Sequence, residues 1–137
     1  MKHIFEQKVY YADTDSYGVV WHGSYLRWME AGRVDMCEGL GINLIELKEQ
    51  DIAIPVTNIN IRYKSSAKLN DTVIIETKIK KITPLSVTFY QTISNKETGA
   101  IFTQAEVDTV AIHNDGKLYR RLPEILTKKL AGAICND

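Results

Sequence analysis

The chain has 137 residues, and its 17 Lys and Arg residues balance its 17 Asp and Glu residues. This length fits a single domain over residues 1–137, since domains most often contain about 100–150 residues. A chain without net positive charge has no field that collects phosphate backbones, so we do not expect nucleic acid as a partner.

Export and membrane signals are also missing from the pattern. The first residues hold no apolar run of signal-peptide length, and no stretch approaches the roughly 20 apolar residues that span a bilayer. The two cysteines, Cys37 and Cys135, lack the Cys-x-x-Cys spacing of metal or redox sites. We therefore predict a cytoplasmic protein with reduced thiols, no metal site and no integral membrane association.

The first half of the chain predicts one strand and one long helix. Residues 4–11 mix β-branched and aromatic residues with polar ones, which is typical of a strand. Residues 22–40 contain no Pro, and their apolar and small residues recur at spacings of three and four, the period of a helix face. The residues on this face are Tyr25, Trp28, Met29, Gly32, Met36 and Leu40. Gly39 and Gly41 end the pattern, and residues 44–50 fit a short second helix.

The second half is rich in β-branched residues. It predicts four strands, over residues 56–63, 73–79, 87–93 and 101–112, with a hairpin at residues 95–99 and a brief helix opened by Pro123. Strands grouped after one long helix favour an α+β fold, with the helix against one face of an antiparallel five-stranded sheet. The open sheet edges favour pairing with a second copy, so we expect a homodimer.

The segment joining the first strand to the long helix carries the chemistry. It places Asp13 and Asp15 just ahead of the helix, where unpaired backbone N–H groups and the positive end of the macrodipole gather. A carboxylate beside such donors supplies a nucleophile or base together with an oxyanion site, the two parts needed for acyl transfer.

Three other interpretations compete for this segment. Asp13 and Asp15 are also common helix-capping residues. The Asp-x-Asp spacing with Gly18 imitates an EF-hand loop, but Tyr17 and Ser24 occupy two of its ligand positions. A zinc site at His22 lacks a second ligand at metal-binding spacing, because His3 and His113 are far away in sequence.

Residues 13–22 resemble the 4-hydroxybenzoyl-CoA thioesterase family of hotdog proteins, whose pattern is Asp-x-Asp, then Gly-Val-Val, an aromatic residue and His. The resemblance continues through Tyr25-Leu26, Glu30–Arg33, Gly41, Tyr63, Asp71 and Arg120–Pro123. It implies a hotdog fold, in which a five-stranded antiparallel sheet wraps around one long central helix. It also implies an acyl-CoA thioesterase that needs no cofactor, since coenzyme A is part of the substrate.

The resemblance assigns roles to individual residues. It makes Asp15 the catalytic carboxylate, acting as nucleophile or general base, and Asp13 a structural residue. It makes the backbone amides of His22 and Gly23 the oxyanion donors, while the His22 side chain either assists catalysis or packs in the loop. The expected substrate contacts are Tyr17, Gly18, Val19, Val20, Trp21, Tyr25, Arg62, Lys64 and Lys68. For the phosphates of coenzyme A, Arg120 and Arg121 are further candidates.

Other functions fit the same fold. An acyl-carrier-protein thioesterase and a non-catalytic acyl-CoA binder remain alternatives, since fold alone does not settle function. A hotdog dehydratase would resemble families that use a His with an acid deeper in the fold, and the sequence does not show that pattern. We interpret Glu30 and Arg33, one helical turn apart, as a structural pair of opposite charge. We further expect dimers to pair into tetramers, and the sequence leaves the acyl group open.

Overall fold

A computed structural model describes residues 1–134 of the chain, so Cys135 lies outside the described part. The helices are α1 (His22–Gly39), α2 (Leu44–Glu49) and α3 (Glu124–Ala131). The strands are β1 (Lys2–Lys8), β2 (Val56–Tyr63), β3 (Thr72–Ile82), β4 (Ser86–Asn95) and β5 (Ile101–Val110). Among these residues, no helix is long and apolar enough to cross a membrane.

The five strands form one sheet in the order β1-β3-β4-β5-β2, and every neighbouring pair is antiparallel. This confirms the predicted α+β architecture and the hairpin between β4 and β5. The predicted first strand was wrong at its end, because β1 stops at Lys8 and residues 11–13 form a 3-10 turn. The Asp13 carboxylate accepts the Tyr10 amide at 2.9 Å, which bends the chain out of the sheet. The last strand is also shorter than predicted, since β5 ends at Val110.

Helix α1 packs against β1, β3 and β4 with the face that its periodicity predicts. Trp28, Met29 and Met36 are buried on this face, and they meet strand residues such as Ile75 and Ile93 in one apolar core. Burying each large apolar side chain contributes about 1.5–3 kcal/mol. The helix is therefore held to the sheet along most of its length.

A polar network lies beneath the middle of α1. The buried Gln91 amide donates to the Met29 carbonyl at 2.9 Å and to Thr77 Oγ1 at 2.8 Å. Its oxygen accepts a hydrogen bond from Arg33 at 3.0 Å. The expected Glu30–Arg33 ion pair is wrong, because within residues 1–134 Arg33 makes no salt bridge and instead bonds to this neutral amide.

Strand β2 is an open edge of the sheet. It pairs with β5 on one side, and every one of its residues except Ile61 is exposed. Val56, Ile59 and Tyr63 are 39%, 36% and 46% exposed although they are large and apolar. The chain thus presents an uncovered edge strand with an apolar face. Such edges tend to pair with another strand.

We predict that Gly32→Ala lowers the free energy of unfolding by about 1–3 kcal/mol, the usual cost of overpacking a core. A β-carbon at this position would lie 2.8 Å from Ile75 Cγ2 and 3.0 Å from Thr77 Oγ1. Gly39→Ala in the same helix is the matched control, because its β-carbon would meet nothing within 4 Å. Urea unfolding of both variants checks this, and equal stabilities would contradict the close packing at Gly32.

Candidate active site

The loop before α1 is folded back on itself and pinned to the chain after β2. Thr14 and Val20 form an antiparallel bridge, and the Trp21 amide donates to the Asp13 carbonyl at 2.8 Å. The Val20 amide donates to the Ala67 carbonyl at 2.9 Å. These bonds hold the loop at a fixed position beside the first turn of α1.

Asp13 is occupied by structural contacts. Its side chain is buried, accepts the Tyr10 amide and forms an ion pair with Arg27. Its carbonyl also accepts a hydrogen bond from the Ser24 hydroxyl at 3.0 Å. The carboxylate therefore ties the end of β1 to α1 and has little freedom to meet a substrate.

Asp15 has a different environment. Its amide donates to the Val19 carbonyl at 2.9 Å and its carbonyl accepts the Gly18 amide at 3.1 Å, closing a tight turn in which Gly18 has φ of +79°. One carboxylate oxygen accepts the Tyr17 amide at 2.8 Å. The other oxygen accepts no hydrogen bond from the described residues. Asp15 is thus a half-buried carboxylate, oriented by its own turn, with one oxygen available for chemistry.

The start of α1 offers free donors. Trp21 is the N-cap residue in an extended conformation, and its side chain makes no capping hydrogen bond. In the part of the chain that the structure describes, the amides of His22 and Gly23 have no acceptor. A helix start with unpaired N–H groups attracts a developing negative charge.

Gly23 leaves room for the Trp21 ring. Any β-carbon at Gly23 would overlap atoms of that ring, so the indole lies directly over the first turn of α1. Trp21 is half exposed here and shields one side of the amides. A larger residue at this position would displace the indole.

Two tyrosines tie the start of α1 to strand β2 and to the segment that follows it. The Tyr63 hydroxyl donates to the His22 carbonyl at 3.1 Å, and the Tyr25 hydroxyl accepts the Ala67 amide at 2.9 Å. Burial raises the pKa of Tyr25 above its ordinary value, which keeps the phenol neutral. Sequence reasoning did not place Tyr63 in the site, although the period-two alternation of β2 puts it on the same face as Ile61 and Ile59.

The structure brings only some of the other predicted contacts to this loop. Lys68 forms a bridge with Val19 and so flanks the site, whereas Lys64 adjoins it only as the chain neighbour of Tyr63. Arg62 lines a polar depression on the opposite face of the sheet with Asn60 and Gln104. Arg120 and Arg121 are exposed in the segment between β5 and α3. Val20 and Tyr25 are buried, whereas Tyr17 and Gly18 are exposed at the tip of the loop.

The His22 side chain is exposed and makes no hydrogen bond to Asp15. Its ring lies 5.1 Å from Trp21 and 6.4 Å from Tyr63 between centroids. The other two histidines pair with acids, His3 with Asp35 and His113 with Asp51. Over residues 1–134, no group of three His, Cys, Asp or Glu side chains has the geometry to hold a metal ion.

Comparison with known proteins decides the family. The family model described as the thioesterase-like superfamily matches residues 9–130. The chain belongs to this superfamily. The acyl-CoA thioester hydrolase YbgC of Escherichia coli is 32% identical over 117 residues, which cover 85% of this chain and 87% of YbgC.

Solved structures agree with the fold. A DHNA-CoA thioesterase from Staphylococcus aureus superposes with a TM-score of 0.82 and 32% identity, covering 87% of this chain and 80% of that one. A 1,4-dihydroxy-2-naphthoyl-CoA thioesterase from Synechocystis has a TM-score of 0.87 at 21% identity, with 96% of each chain covered. These matches confirm the resemblance inferred from residues 13–22 and the hotdog fold.

We predict that the two loop carboxylates differ in their effect on stability. Asp13→Ala leaves the Tyr10 amide and Arg27 without their acceptor and should cost about 1–3 kcal/mol of unfolding free energy. Asp15→Ala removes a single acceptor for an amide in an exposed turn and should cost less than about 1 kcal/mol. Thermal and urea unfolding of both variants check this, and an Asp15→Ala variant as unstable as Asp13→Ala would make Asp15 a structural residue.

Proposed function

We propose that this protein hydrolyses acyl-CoA thioesters, with Asp15 as the catalytic carboxylate. The observation that carries the proposal is the contrast at the start of α1. The carboxylate of Asp13 is fully engaged by structural contacts, while Asp15 keeps a free oxygen in the loop that leads into a helix start whose first amides are unpaired. The membership in the thioesterase-like superfamily and the similarity to YbgC support the same reaction.

In the proposed reaction, the thioester carbonyl oxygen accepts hydrogen bonds from the His22 and Gly23 amides. Asp15 either attacks the carbonyl carbon or removes a proton from a water that attacks it. Collapse of the tetrahedral intermediate breaks the C–S bond, and the CoA thiolate then takes up a proton. The nucleophilic route forms a mixed anhydride that a water hydrolyses to restore Asp15. Each preorganised oxyanion donor is typically worth about 3–4 kcal/mol.

The surroundings of the loop suit a CoA ester. Trp21 provides exposed aromatic surface next to the free amides, and Tyr17 adds exposed aromatic surface at the tip of the loop, which fits the pantetheine and acyl portions. Lys68 flanks the loop and is the best placed of the predicted cations for the phosphates of coenzyme A. Arg62 fits this role only through another copy of the chain, because it lies on the opposite sheet face.

We also propose that the active form is a homodimer joined through β2, with dimers pairing further into tetramers. Support for the dimer comes from the open hydrogen-bonding edge of β2 and its exposed apolar residues. Tyr63 belongs to that strand and contacts His22, so the same interface would adjoin the site. A cytoplasmic location is part of the proposal, and the buried free thiol of Cys37 is consistent with a reducing compartment.

We predict that Asp15→Asn lowers kcat for acyl-CoA hydrolysis about 100- to 10,000-fold, the range expected when a general base is lost. The measurement is release of free CoA thiol from short, long and aromatic acyl-CoAs. Asp115→Asn is the matched control, because Asp115 also accepts the amide two residues ahead, that of Lys117, in an exposed turn.

A third variant separates the two possible roles of His22. His22→Ala keeps the backbone amide and removes only the imidazole, so activity within about threefold of wild type would show that His22 acts only through its amide.

Full activity in Asp15→Asn would refute the mechanism. An active enzyme with acyl carrier protein but not with acyl-CoA would change the donor and leave the mechanism intact.

We predict a solution mass of at least twice the 15.6 kDa of one chain. Ile59→Lys places a charge on the apolar face of β2 and should shift the protein to smaller species, whereas Ile101→Lys is a control of similar exposure, 39% against 36%. Light scattering coupled to gel filtration measures this. A monomeric wild type would overturn the proposed dimer.

A further inference from the structure

A second candidate site lies at the far end of α1. A cavity of about 200 Å³ lies between α1, α3 and the sheet, and its lining is mostly apolar. Val56, Phe89, Leu126 and Leu130 line it, while Arg33 lies on its α1 side. The first lining residue of α1, Glu30, follows His22 by eight residues, which corresponds to about 12 Å along the helix axis. The cavity is therefore separate from the turn that carries Asp15.

The Arg33 side chain is held in place by Gln91 of β4. Its guanidinium donates to the Gln91 oxygen, and Gln91 is fully buried and bonded to Thr77 and to the Met29 carbonyl. This leaves Arg33 half-buried with the rest of its fixed fork of donors unpaired among residues 1–134. An arginine preorganised by a neutral amide keeps its charge and its remaining donors for a ligand.

The charge of Arg33 has no direct counterion. In the described part of the chain, no carboxylate lies within 4 Å of its guanidinium. Burial lowers the pKa of Arg33, and the nearby charge of Glu30 partly offsets this. An arginine remains protonated at neutral pH even so. Among the described residues no Arg33 nitrogen is a buried atom without a partner, so its remaining donors are open to water or to an anion, and an anion would gain charge-assisted hydrogen bonds from them.

We propose that this cavity binds an apolar chain ending in a carboxylate, which Arg33 holds. The volume limits the buried part to roughly eight non-hydrogen atoms, since a cavity of about 150 Å³ accommodates benzene. The apolar walls contact the chain, and the arginine fork matches the two carboxylate oxygens. The cavity thus selects acids of medium length over neutral molecules of equal size.

Two sources supply this chemistry. One is the distal carboxylate of an acyl group whose thioester lies at the start of α1, and this source rests on the proposed function. Such an acyl group would extend along β2 and α1 from the start of the helix to the cavity. Tyr63 of β2 meets His22 at the start of α1, and Val56 at the other end of β2 lines the cavity together with Cys37. Exposed Leu26 and Ile59 provide apolar surface between the ends. The other source is a free carboxylic acid bound in the cavity alone.

Isothermal titration calorimetry with octanoate and octan-1-ol tests the proposal on the unmodified protein. We expect octanoate to bind about tenfold or more tightly than the alcohol, since hydrogen bonds to charged groups are the stronger ones. Arg33→Gln should remove this preference, and Arg33→Lys should keep part of it. Glu30→Gln should tighten octanoate binding, because it removes the negative charge beside the site. Lys117→Gln removes an exposed positive charge away from the cavity, so it is the control and should leave octanoate binding unchanged.

Kinetics with the same protein distinguish the sources. Preferential hydrolysis of an acyl-CoA with a distal carboxylate over its methyl-ended analogue, lost in Arg33→Gln, identifies the acyl tail as the ligand. Octanoate binding without that preference identifies a free acid. The proposal is overturned if octanoate binds no more tightly than octan-1-ol, or if a folded Arg33→Gln binds both as wild type does. Since calorimetry needs no turnover, an inactive enzyme would not obscure either result.

Discussion

The seating of α1 on the sheet at Gly32 is the contact on which the rest of the molecule depends. Without a side chain at this position, the helix approaches Thr77 and Ile75 closely enough for the Gln91 amide to reach the Met29 carbonyl. A buried amide bonded at both ends fixes the helix along its axis as well as its distance from the sheet. This contact sets the middle of α1, and the apolar packing and loop hydrogen bonds on either side of it then position the two ends.

At the first turn, that position decides which donors are free. The loop before α1 satisfies the Trp21 amide through the Asp13 carbonyl, and it stops there, leaving the next two amides unpaired. Asp13 and Asp15 lie only two residues apart, yet their carboxylates have different partners. Arg27 neutralises Asp13 from the helix, whereas Asp15 turns into the tip of the loop, where its partner is the Tyr17 amide. The difference between the surroundings of the two carboxylates follows from backbone geometry.

Local sequence patterns predicted most of the helices and strands. Contacts formed only in the folded chain explain the features that the patterns missed. The periodicity of residues 22–40 located α1 to within one residue, and β2 was predicted with both ends correct. The end of β1 was missed because a side chain, Asp13, captures the Tyr10 amide and bends the chain against its strand propensity. Pattern reasoning also paired Arg33 with Glu30 on the helix surface, since it has no access to a partner 58 residues away. Tyr63 reached the site by the same kind of contact, 41 residues from His22.

The exposed face of β2 extends between the two ends of α1. It leaves apolar surface of the single chain uncovered. Tyr63 at one end of β2 meets His22 at the start of α1, and Val56 at the other end lines the same cavity as Cys37. Leu26 of α1 and Ile59 of β2 are apolar residues that stay exposed on these two elements. Water against such a surface is unfavourable, and a second strand would bury it together with the open hydrogen-bonding edge. In the proposed dimer, assembly and substrate binding would therefore draw on one surface, so that a change to the face of β2 would bear on both.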